Sequence, residues 1–505
     1  MPVRPIRKVL VANRGEIAVR VMRTCRDLGI AAVAVYSPSD RASLHVRYAT
    51  EAYPLRGPSE RAGYLHVEQI VAIARRSGAD ALHPGYGFLS ENPALPRACQ
   101  QQGVTFIGPC AEVMETMSSK TQARHTMQQA GVPVVPGLQH AAGSEQEALS
   151  CARKIGFPVM LKAALGGGGK GMRKVDDQAA FSSAWQATRG EAKLSFGDDT
   201  VYVEKFLDKP RHIEVQVFGD THGRVRAFPE RECSVQRRHQ KVLEESPSPF
   251  VTDELRSRMA TVACQAAAAV GYVGAGTIEF LVDANRNFYF MEMNTRLQVE
   301  HPITEMVTGL DLVKLQIDIA QGARLDQLLP AKPLQARGWA MEARVCAEDP
   351  AQGFLPSPGP IHHVRQPGGP FVRTDTAVYA GWEITPDYDP LIAKVIAWGA
   401  DRASTLAHLD RALAEFTIKG CKTNTMFLRQ VLHFQDYRGG DYDTGIVQRL
   451  LNQSPVWQGH EHRKMALLGA AVLNFERERQ SQARVSPTET SADGHNAWRS
   501  WVTAS

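Results

Sequence analysis

The sequence predicts a mixed α/β and α+β protein led by a doubly wound parallel sheet. Strand and helix signals alternate over the first hundred or so residues, a small α+β pattern occupies about 135–203, and strands fill the central section. Val9–Ala12 reads as a buried strand, Asn13-Arg-Gly-Glu16 as a turn, and Ile17–Leu28 as a helix stopped by Gly29. Ala31–Tyr36 is a second strand and His66–Ser77 a second helix. Ala81-Leu82 leads into the sharp loop His83-Pro-Gly-Tyr-Gly87, and the short strand Val104–Ile107 ends at Gly108-Pro109. Ligands of such a sheet are expected at the carboxyl ends of its strands. No Gly-x-Gly-x-x-Gly follows the first strand, which disfavours a dinucleotide fold.

Helical spacing returns from Ser118 to Ala130 and stops at Gly131-Val-Pro133. Within the α+β unit, strands Val159–Ala163 and Met172–Val175 flank Gly166-Gly-Gly-Gly-Lys-Gly171. Further strands are expected at Val201–Phe206, His212–Phe218, Val225–Glu230, Thr277–Val282 and Asn287–Met293. The helix Leu255–Val270 has acidic residues in its first turn and Gly271 beyond its end, as the helix dipole favours. The Pro/Gly-rich stretch Phe354-Leu-Pro-Ser-Pro-Gly-Pro360 marks another layer. A helix at about Glu461 to Glu478 and a polar, mobile tail from Gln480 to Asn496 follow, with Trp498-Arg-Ser-Trp501 in a frayed end. No internal repeat is visible.

The 505 residues are enough for about two to four domains. Apolar content of 43% with 22% charged fits a soluble globular protein. The excess of 58 basic over 53 acidic residues is too small to point to nucleic acid, and anionic small molecules explain it as easily. Eight cysteines (25, 99, 110, 151, 233, 264, 346, 421) lie far apart, against a zinc site or a disulfide framework and for a reducing compartment. With no secretory signal and no apolar run approaching a membrane span, a cytoplasmic protein without a membrane partner is expected.

Glu292, Asn294, Arg296, Gln298 and Glu300 recur at two-residue spacing after the apolar run Phe288-Tyr-Phe290. In one extended strand they share a face, with Met291, Met293, Leu297 and Val299 turned the other way. Thr277–Val282 is also strand-like and Asp283-Ala-Asn-Arg286 fits a turn, so a hairpin sets Glu279 beside Glu292 and Asn294. Three hard oxygen donors on one surface suit Mg2+, which completes its shell with water and phosphate oxygens. Polar alternation also occurs on any solvated strand face. The metal reading therefore needs a nucleotide site elsewhere in the chain.

Gly166–Gly169 lets backbone N–H groups approach a phosphate, although a flexible surface loop is the commoner fate of such a run. Lys162, inside an apolar strand, either snorkels or points at an anion. Lys120 offers a second phosphate contact or is a solvated helix lysine. Val203-Glu204-Lys205-Phe206-Leu207 has the form of a hinge, with Glu204 on an adenine edge and Leu207 on its ring; in isolation a plain strand end is the commoner reading. His212-x-Glu214-x-Gln216 repeats the polar alternation. Gln236-Arg-Arg-His239-Gln-Lys241 concentrates donors in a loop, an anion site if it faces Glu292 and otherwise a basic patch. Arg344 alternates with Glu342, the pattern of an ordinary ion pair along a strand face. Each motif is ambiguous alone; together and in this order they are not.

Asn13-Arg-Gly-Glu-Ile-Ala18, His83-Pro-Gly-Tyr-Gly-Phe-Leu-Ser-Glu-Asn92, the glycine loop, Gln236–Lys241, Glu292-Met-Asn-Thr-Arg-Leu-Gln-Val-Glu-His-Pro302, and Ala347-Glu-Asp349 through Phe354–Gly359 closely resemble biotin carboxylase. That enzyme is the ATP-grasp component of biotin-dependent acyl-CoA and pyruvate carboxylases, and the resemblance covers about residues 5–447. It implies an ATP-grasp fold: an N-terminal pre-ATP-grasp domain (1–115), an ATP-grasp domain (116–330) with a mobile lid at about 135–203, a biotin carboxylase C-terminal domain (335–447) and a helical or flexible tail (448–505). By resemblance, Lys120, Lys162, Gly168, Gly169, Glu204, Leu207, His212, Gln236 and His239 bind ATP. Glu279 and Glu292 join them and, with Asn294, hold Mg2+ (or Mn2+). Lys241, Arg296, Glu300 and the backbone of Val299 position bicarbonate, Glu300 is the general base, and Arg344 stabilises the enolate-like oxygen of biotin.

The implied reaction is ATP-dependent carboxylation of biotin on a carrier protein through carboxyphosphate. It is the first half-reaction of an acyl-CoA or pyruvate carboxylase, for example the acetyl-CoA carboxylase of fatty acid biosynthesis. Ser118-Ser119 stand where the family has Gly-Asp before the lysine. No Met-Lys-Met occurs, so the biotin carboxyl carrier protein and the carboxyltransferase are expected on other chains, and the family's habit implies a homodimer. Two alternatives stand beside this reading: another ATP-grasp carboxylate ligase, and a catalytically silent nucleotide-binding scaffold.

Overall fold

The computed structural model describes residues 5–138, 140–164, 171–455 and 463–483, in two units, Met1–Val456 and Trp457–Ser505. The aliphatic runs near the N-terminus form the expected parallel sheet. Its five strands lie in the order Glu51–Pro54, Ala31–Tyr36, Lys8–Val11, Ala81–His83, Thr105–Phe106. Val9, Val11, Ala32 and Ala34 enter one core with Ile17 and Val21, while Leu10, Val33, Val35 and Leu82 enter another with Ile70 and Ala74. Burial on both faces is what a doubly wound sheet requires. The edge strand Glu51–Pro54 escaped the sequence reading because it is only half-buried and has no apolar run.

A three-stranded antiparallel sheet, Met172–Val175, Val159–Ala163 and Val201–Lys205, packs with helices Glu145–Ile155 and Phe181–Phe196 around Leu161, Val175 and Trp185. Among the described residues the remaining long strands make one nine-stranded sheet. Its main path runs Phe288–Asn294, Gly274–Val282, Arg211–Gly219, Arg231–Arg237, Gln240–Ser246, Trp339–Cys346, Leu391–Gly399, Val372–Thr376. Central and C-terminal segments thus share one continuous sheet. Thr252 caps the helix Asp253–Ala269 by accepting the Leu255 N–H, with Asp253 and Glu254 in its first turn.

Two local expectations need correction. Gln236–Lys241 is not a loop but the end of a hairpin, whose strands Arg231–Arg237 and Gln240–Ser246 pair across Arg238 and His239. Those two residues have φ of +51° and +64°. Two successive positive φ values match the tightest hairpin turns, normally marked by Asn-Gly or Asp-Gly; without glycine the turn left no signal.

The alternating run is not one strand either. Phe288–Asn294 ends at Asn294, residues 295–299 leave the sheet, and Glu300 immediately precedes helix His301–Thr308. Before that end, Glu279 pairs with Glu292 but Phe280 pairs with Phe290, so Met291 is an extra residue. Such a bulge changes which parity faces the core. Phe288 and Phe290 are buried before it and Met293 after it, which frees Glu292 and Asn294 for the opposite face. The chain departs from the sheet where Glu91 accepts the Thr295 N–H at 3.0 Å, and Leu297 turns into the core beside the N-terminal sheet.

In the second unit Arg463–Ala483 is a single helix with Leu468, Val472 and Phe475 exposed. The polar stretch expected to be mobile lies beyond Ala483, outside the described residues apart from its start. Among the described residues, no helix is long and apolar enough to cross a membrane.

Candidate active site

Four strands each contribute one residue to a lateral row. Glu292 lies opposite Glu279, Glu279 opposite Glu214, and Glu214 opposite Arg231. Like charges directly across a sheet repel, so such a row needs cations among its members. Lys241, from the Gln240–Ser246 strand, places Nζ 2.5 Å from Glu214 Oε2, 2.9 Å from Glu279 Oε1 and 2.6 Å from Glu300 Oε1. Arg231, fully buried, donates to Glu214 at 2.5 Å and also to Gln216, Thr277 and Thr304. His212 Nε2 lies 2.8 Å from Glu279 Oε2, and its Nδ1 is 2.6 Å from Gln236 Nε2.

Burial opposes the charge on Glu279, but Lys241 and His212 outweigh it and hold the carboxyl well below the usual range. Burial opposes Glu300 in the same way, and there Lys241, Arg344 and Arg231 prevail. Glu214 goes the other way, raised chiefly by burial against the pull of Arg231.

Two of the bicarbonate candidates, Lys241 and Arg344, meet at Glu300. Its Oε2 accepts from Arg344 Nη2 at 2.8 Å, and Arg344 Nε donates to Glu244 Oε1 at 2.6 Å. The spacing-based pairing with Glu342 does not form: that carboxylate accepts no hydrogen bond among the described residues. Burial lifts the Glu244 carboxyl to about 7 against the pull of Arg344. Arg296 donates Nε to Glu91 Oε2 at 2.8 Å, Nη1 to Gln298 Oε1 at 3.0 Å and Nη2 to Asn294 Oδ1 at 3.0 Å. The Val299 carbonyl accepts from buried Lys394 at 2.8 Å.

Of the nucleotide candidates, Lys162 meets Glu204. Lys162 Nζ lies 2.5 Å from Glu204 Oε2, and Arg124 pairs with Glu204 Oε1 while its other amino group reaches the Val135 carbonyl. Lys120 is the first residue of helix Lys120–Gln129, and the Ser119 hydroxyl accepts the Gln122 N–H, so the Ser-Ser departure still starts a helix. Burial, with Lys162 adding, lowers the Lys120 pKa. Leu207 is half-buried beyond its strand, and His239 is at the exposed hairpin tip. Gly168 and Gly169 lie outside the described residues.

Glu292 is exposed, and among the described residues its carboxylate has no hydrogen-bond or ion-pair partner. Partial withdrawal from water and then the Glu279 charge raise its pKa, a repulsion that a divalent cation between them relieves. Asn294 Nδ2 touches Glu279 Oε1 at 2.9 Å. These hard oxygens fit Mg2+ or Mn2+. His212, Glu214 and Glu279 also have potential ligand atoms within 4.8 Å of one another, but that set includes an imidazole nitrogen, a softer donor than Mg2+ takes.

Arg231, Glu244, Arg124, Glu91 and Lys394 were not singled out from the sequence. The available signal was charge inside a strand otherwise buried, as in Glu230-Arg-Glu232 and Leu243-Glu-Glu245.

Comparisons with known proteins identify the family of the chain. Residues 5–114 match the family described as biotin carboxylase, N-terminal domain, and residues 342–449 the biotin carboxylase C-terminal domain. Residues 119–328 match the carbamoyl-phosphate synthase L chain, ATP binding domain. Biotin carboxylase 1 of Bacillus subtilis is 48% identical over 444 residues, 88% of this chain and 98% of that protein. The biotin carboxylase of Halalkalibacterium halodurans is 49% identical over 441 residues, covering 87% and 97%. Among solved structures, the biotin carboxylase domain dimer of Hydrogenobacter thermophilus 2-oxoglutarate carboxylase, in complex with MgADP, ADP and bicarbonate, is similar with a TM-score of 0.83 and 43% identity over 88% of this chain and 98% of that one. The expected ATP-grasp architecture with biotin carboxylase flanking domains is therefore present, and the chain belongs to the biotin carboxylase family.

Proposed function

We propose that this chain uses ATP and bicarbonate to carboxylate the biotin of a carrier protein, the first half-reaction of a biotin-dependent carboxylase. The carrying observation is Glu300, a buried carboxylate held 2.6 Å from Lys241 and 2.8 Å from Arg344 beside the Glu279–Glu292 pair. Lys120, Lys162 and the glycine loop take the phosphates, Glu204 and Leu207 the adenine, and the segment 135–203 closes over them. His212, Gln236 and His239 complete the nucleotide contacts. Glu279, Glu292 and Asn294 would hold Mg2+, which when bound offsets phosphate charge.

Arg296, Lys241 and the Val299 backbone hold bicarbonate, and Glu300 removes its proton. The resulting oxyanion attacks the γ-phosphorus, the bond to the bridging oxygen breaks, and ADP leaves with carboxyphosphate as the other product. Carboxyphosphate is hydrolytically fragile, so water must be excluded. It separates into CO2 and phosphate; phosphate takes the N1 proton of biotin, N1 attacks CO2, and Arg344 stabilises the ureido oxygen as charge develops. Glu300 is fully ionised at rest but a weak base while two cations hold it. As Lys241 and Arg344 turn towards substrate, its basicity rises.

The carrier and the carboxyltransferase reside on partner chains, and the protein works as a homodimer in the cytoplasm. The central match to a carbamoyl-phosphate synthase domain favours a second reading, a ligase passing an acyl phosphate to another nucleophile. Arg344, which touches the base from the C-terminal segment, has no role in it. Measuring ADP release with bicarbonate, with and without free biotin, separates the two: biotin should stimulate turnover, and an unstimulated rate favours the rival.

A further inference from the structure

Glu91 lies in the loop after strand Ala81–His83 and has no part in the steps above. Its Oε1 accepts the Thr295 N–H at 3.0 Å and the Thr295 hydroxyl at 3.4 Å, while Oε2 accepts Arg296 Nε at 2.8 Å. One carboxylate thereby grips the backbone of one residue and the side chain of the next. We propose that Glu91 is a positioning residue that aims the Arg296 guanidinium at the anionic substrate. The inference rests on the reading that Arg296 holds bicarbonate.

The loop presenting Glu91 is fixed. Asn13 Nδ2 donates to the Pro84 carbonyl at 2.7 Å and to the Tyr86 carbonyl at 2.8 Å. Gly85 has φ of +64°, and a Cβ there would meet Asn13 Nδ2 at 2.8 Å, so glycine is required. The Phe88 ring stacks on Tyr64 with centroids 4.9 Å apart, and Leu89 and Ser90 are each only 2% exposed. The Glu91 side chain is 41% exposed, but it projects from a rigid base.

The other acceptors around Arg296 are neutral and come from its own segment: Asn294 Oδ1, Gln298 Oε1 and the Leu297 carbonyl at 3.3 Å. Glu91 is charged and comes from 205 residues earlier in the chain. Its bond engages Nε and leaves both terminal amino groups on neutral acceptors. An anion displaces such acceptors readily, and the two amino groups form the fork suited to a planar carboxylate-like ligand. Glu91 also repels an incoming anion, but at its exposure that repulsion is screened by water and salt. Guanidinium orientation is not screened, so loss of Glu91 weakens bicarbonate binding on balance.

The test compares Glu91→Gln and Glu91→Ala with the full wild-type chain in bicarbonate-dependent ADP release. The expected result is a KM for bicarbonate about tenfold higher in Glu91→Ala, the scale of one charge-assisted hydrogen bond, and a smaller rise in the isosteric Glu91→Gln. The KM for ATP and the melting temperature should stay near wild type. An unchanged or lowered KM for bicarbonate overturns the proposal, as does a parallel rise in both KM values with a lower melting temperature. A wild type that cleaves no ATP in response to bicarbonate overturns the underlying reading as well. A responsive wild type matched by both variants overturns this inference alone.

Discussion

Replacing Arg344 with alanine should separate the two halves of the reaction. On the proposed reading, in the biotin half the guanidinium would face a ureido oxygen that gains charge only as N1 loses its proton. One positioned donor of that kind is worth about 3 kcal/mol, on the order of 10²–10³ in rate. In the ATP half, Arg344 acts only through Glu300, to which it donates at 2.8 Å. Lys241 at 2.6 Å remains on the other oxygen, so the loss is about that of one charge-assisted hydrogen bond, ~1.5 kcal/mol or roughly tenfold. The fold should survive, because Glu244, left without its partner, has a carboxyl already lifted to about 7 by burial and takes up a proton near neutrality. The assay pairs ADP release without biotin against fixation of labelled bicarbonate into free biotin. Biotin carboxylation should fall at least about tenfold further than ATP cleavage. Equal loss of both activities would refute the assignment of Arg344 to biotin.

Glu300→Gln removes the base while keeping its shape, so bicarbonate-dependent ATP cleavage should drop by about 10² or more, with ADP binding by calorimetry near wild type; a variant as fast as wild type favours the silent-scaffold reading. Glu244 titrates at about 7, raised from 4.5 mainly by burial, so it is anionic and grips Arg344 fully only above that pH. Biotin carboxylation should therefore gain a limb that rises with pH through about 7, and Glu244→Gln should flatten it; an unaltered limb rules this out. The same raised pKa means that folding takes up a proton between about 4.5 and 7, a contribution to stability present at the acid end and lost as pH rises through that window. Arg231→Met takes one of two cations from the buried Glu214 and should cost about 3 kcal/mol, read as a lower denaturation midpoint; a wild-type midpoint contradicts the role given to Arg231.

Short-range features of this fold were legible in the sequence, and long-range ones were not. Strands Ala31–Tyr36, Val159–Ala163 and Met172–Val175 begin and end where residue pattern and flanking turn signals put them. The Glu279–Glu292 pair was also readable, because a hairpin needs only two strands and a turn. Met291 left no mark, since one extra residue changes parity without changing composition. The strand ends at Asn294 where Thr295 meets Glu91, 204 residues earlier, which no local window contains. In the site, Glu214 was visible in the His212-x-Glu214-x-Gln216 alternation. Its neighbour Arg231 acquires meaning only once four strands stand side by side.

The contacts of Lys241 and Arg344 carry a consequence for discrimination. Each cation is already matched to resident carboxylates, Lys241 to three and Arg344 to two. A simple anion such as chloride or sulfate would merely trade one counter-ion for another, with little net Coulomb gain. On the proposed reading, bicarbonate brings an acidic hydrogen, and handing it to Glu300 would abolish the one resident charge that Lys241 and Arg344 share. Such a site would favour a protic anion over an aprotic one by chemistry rather than by size.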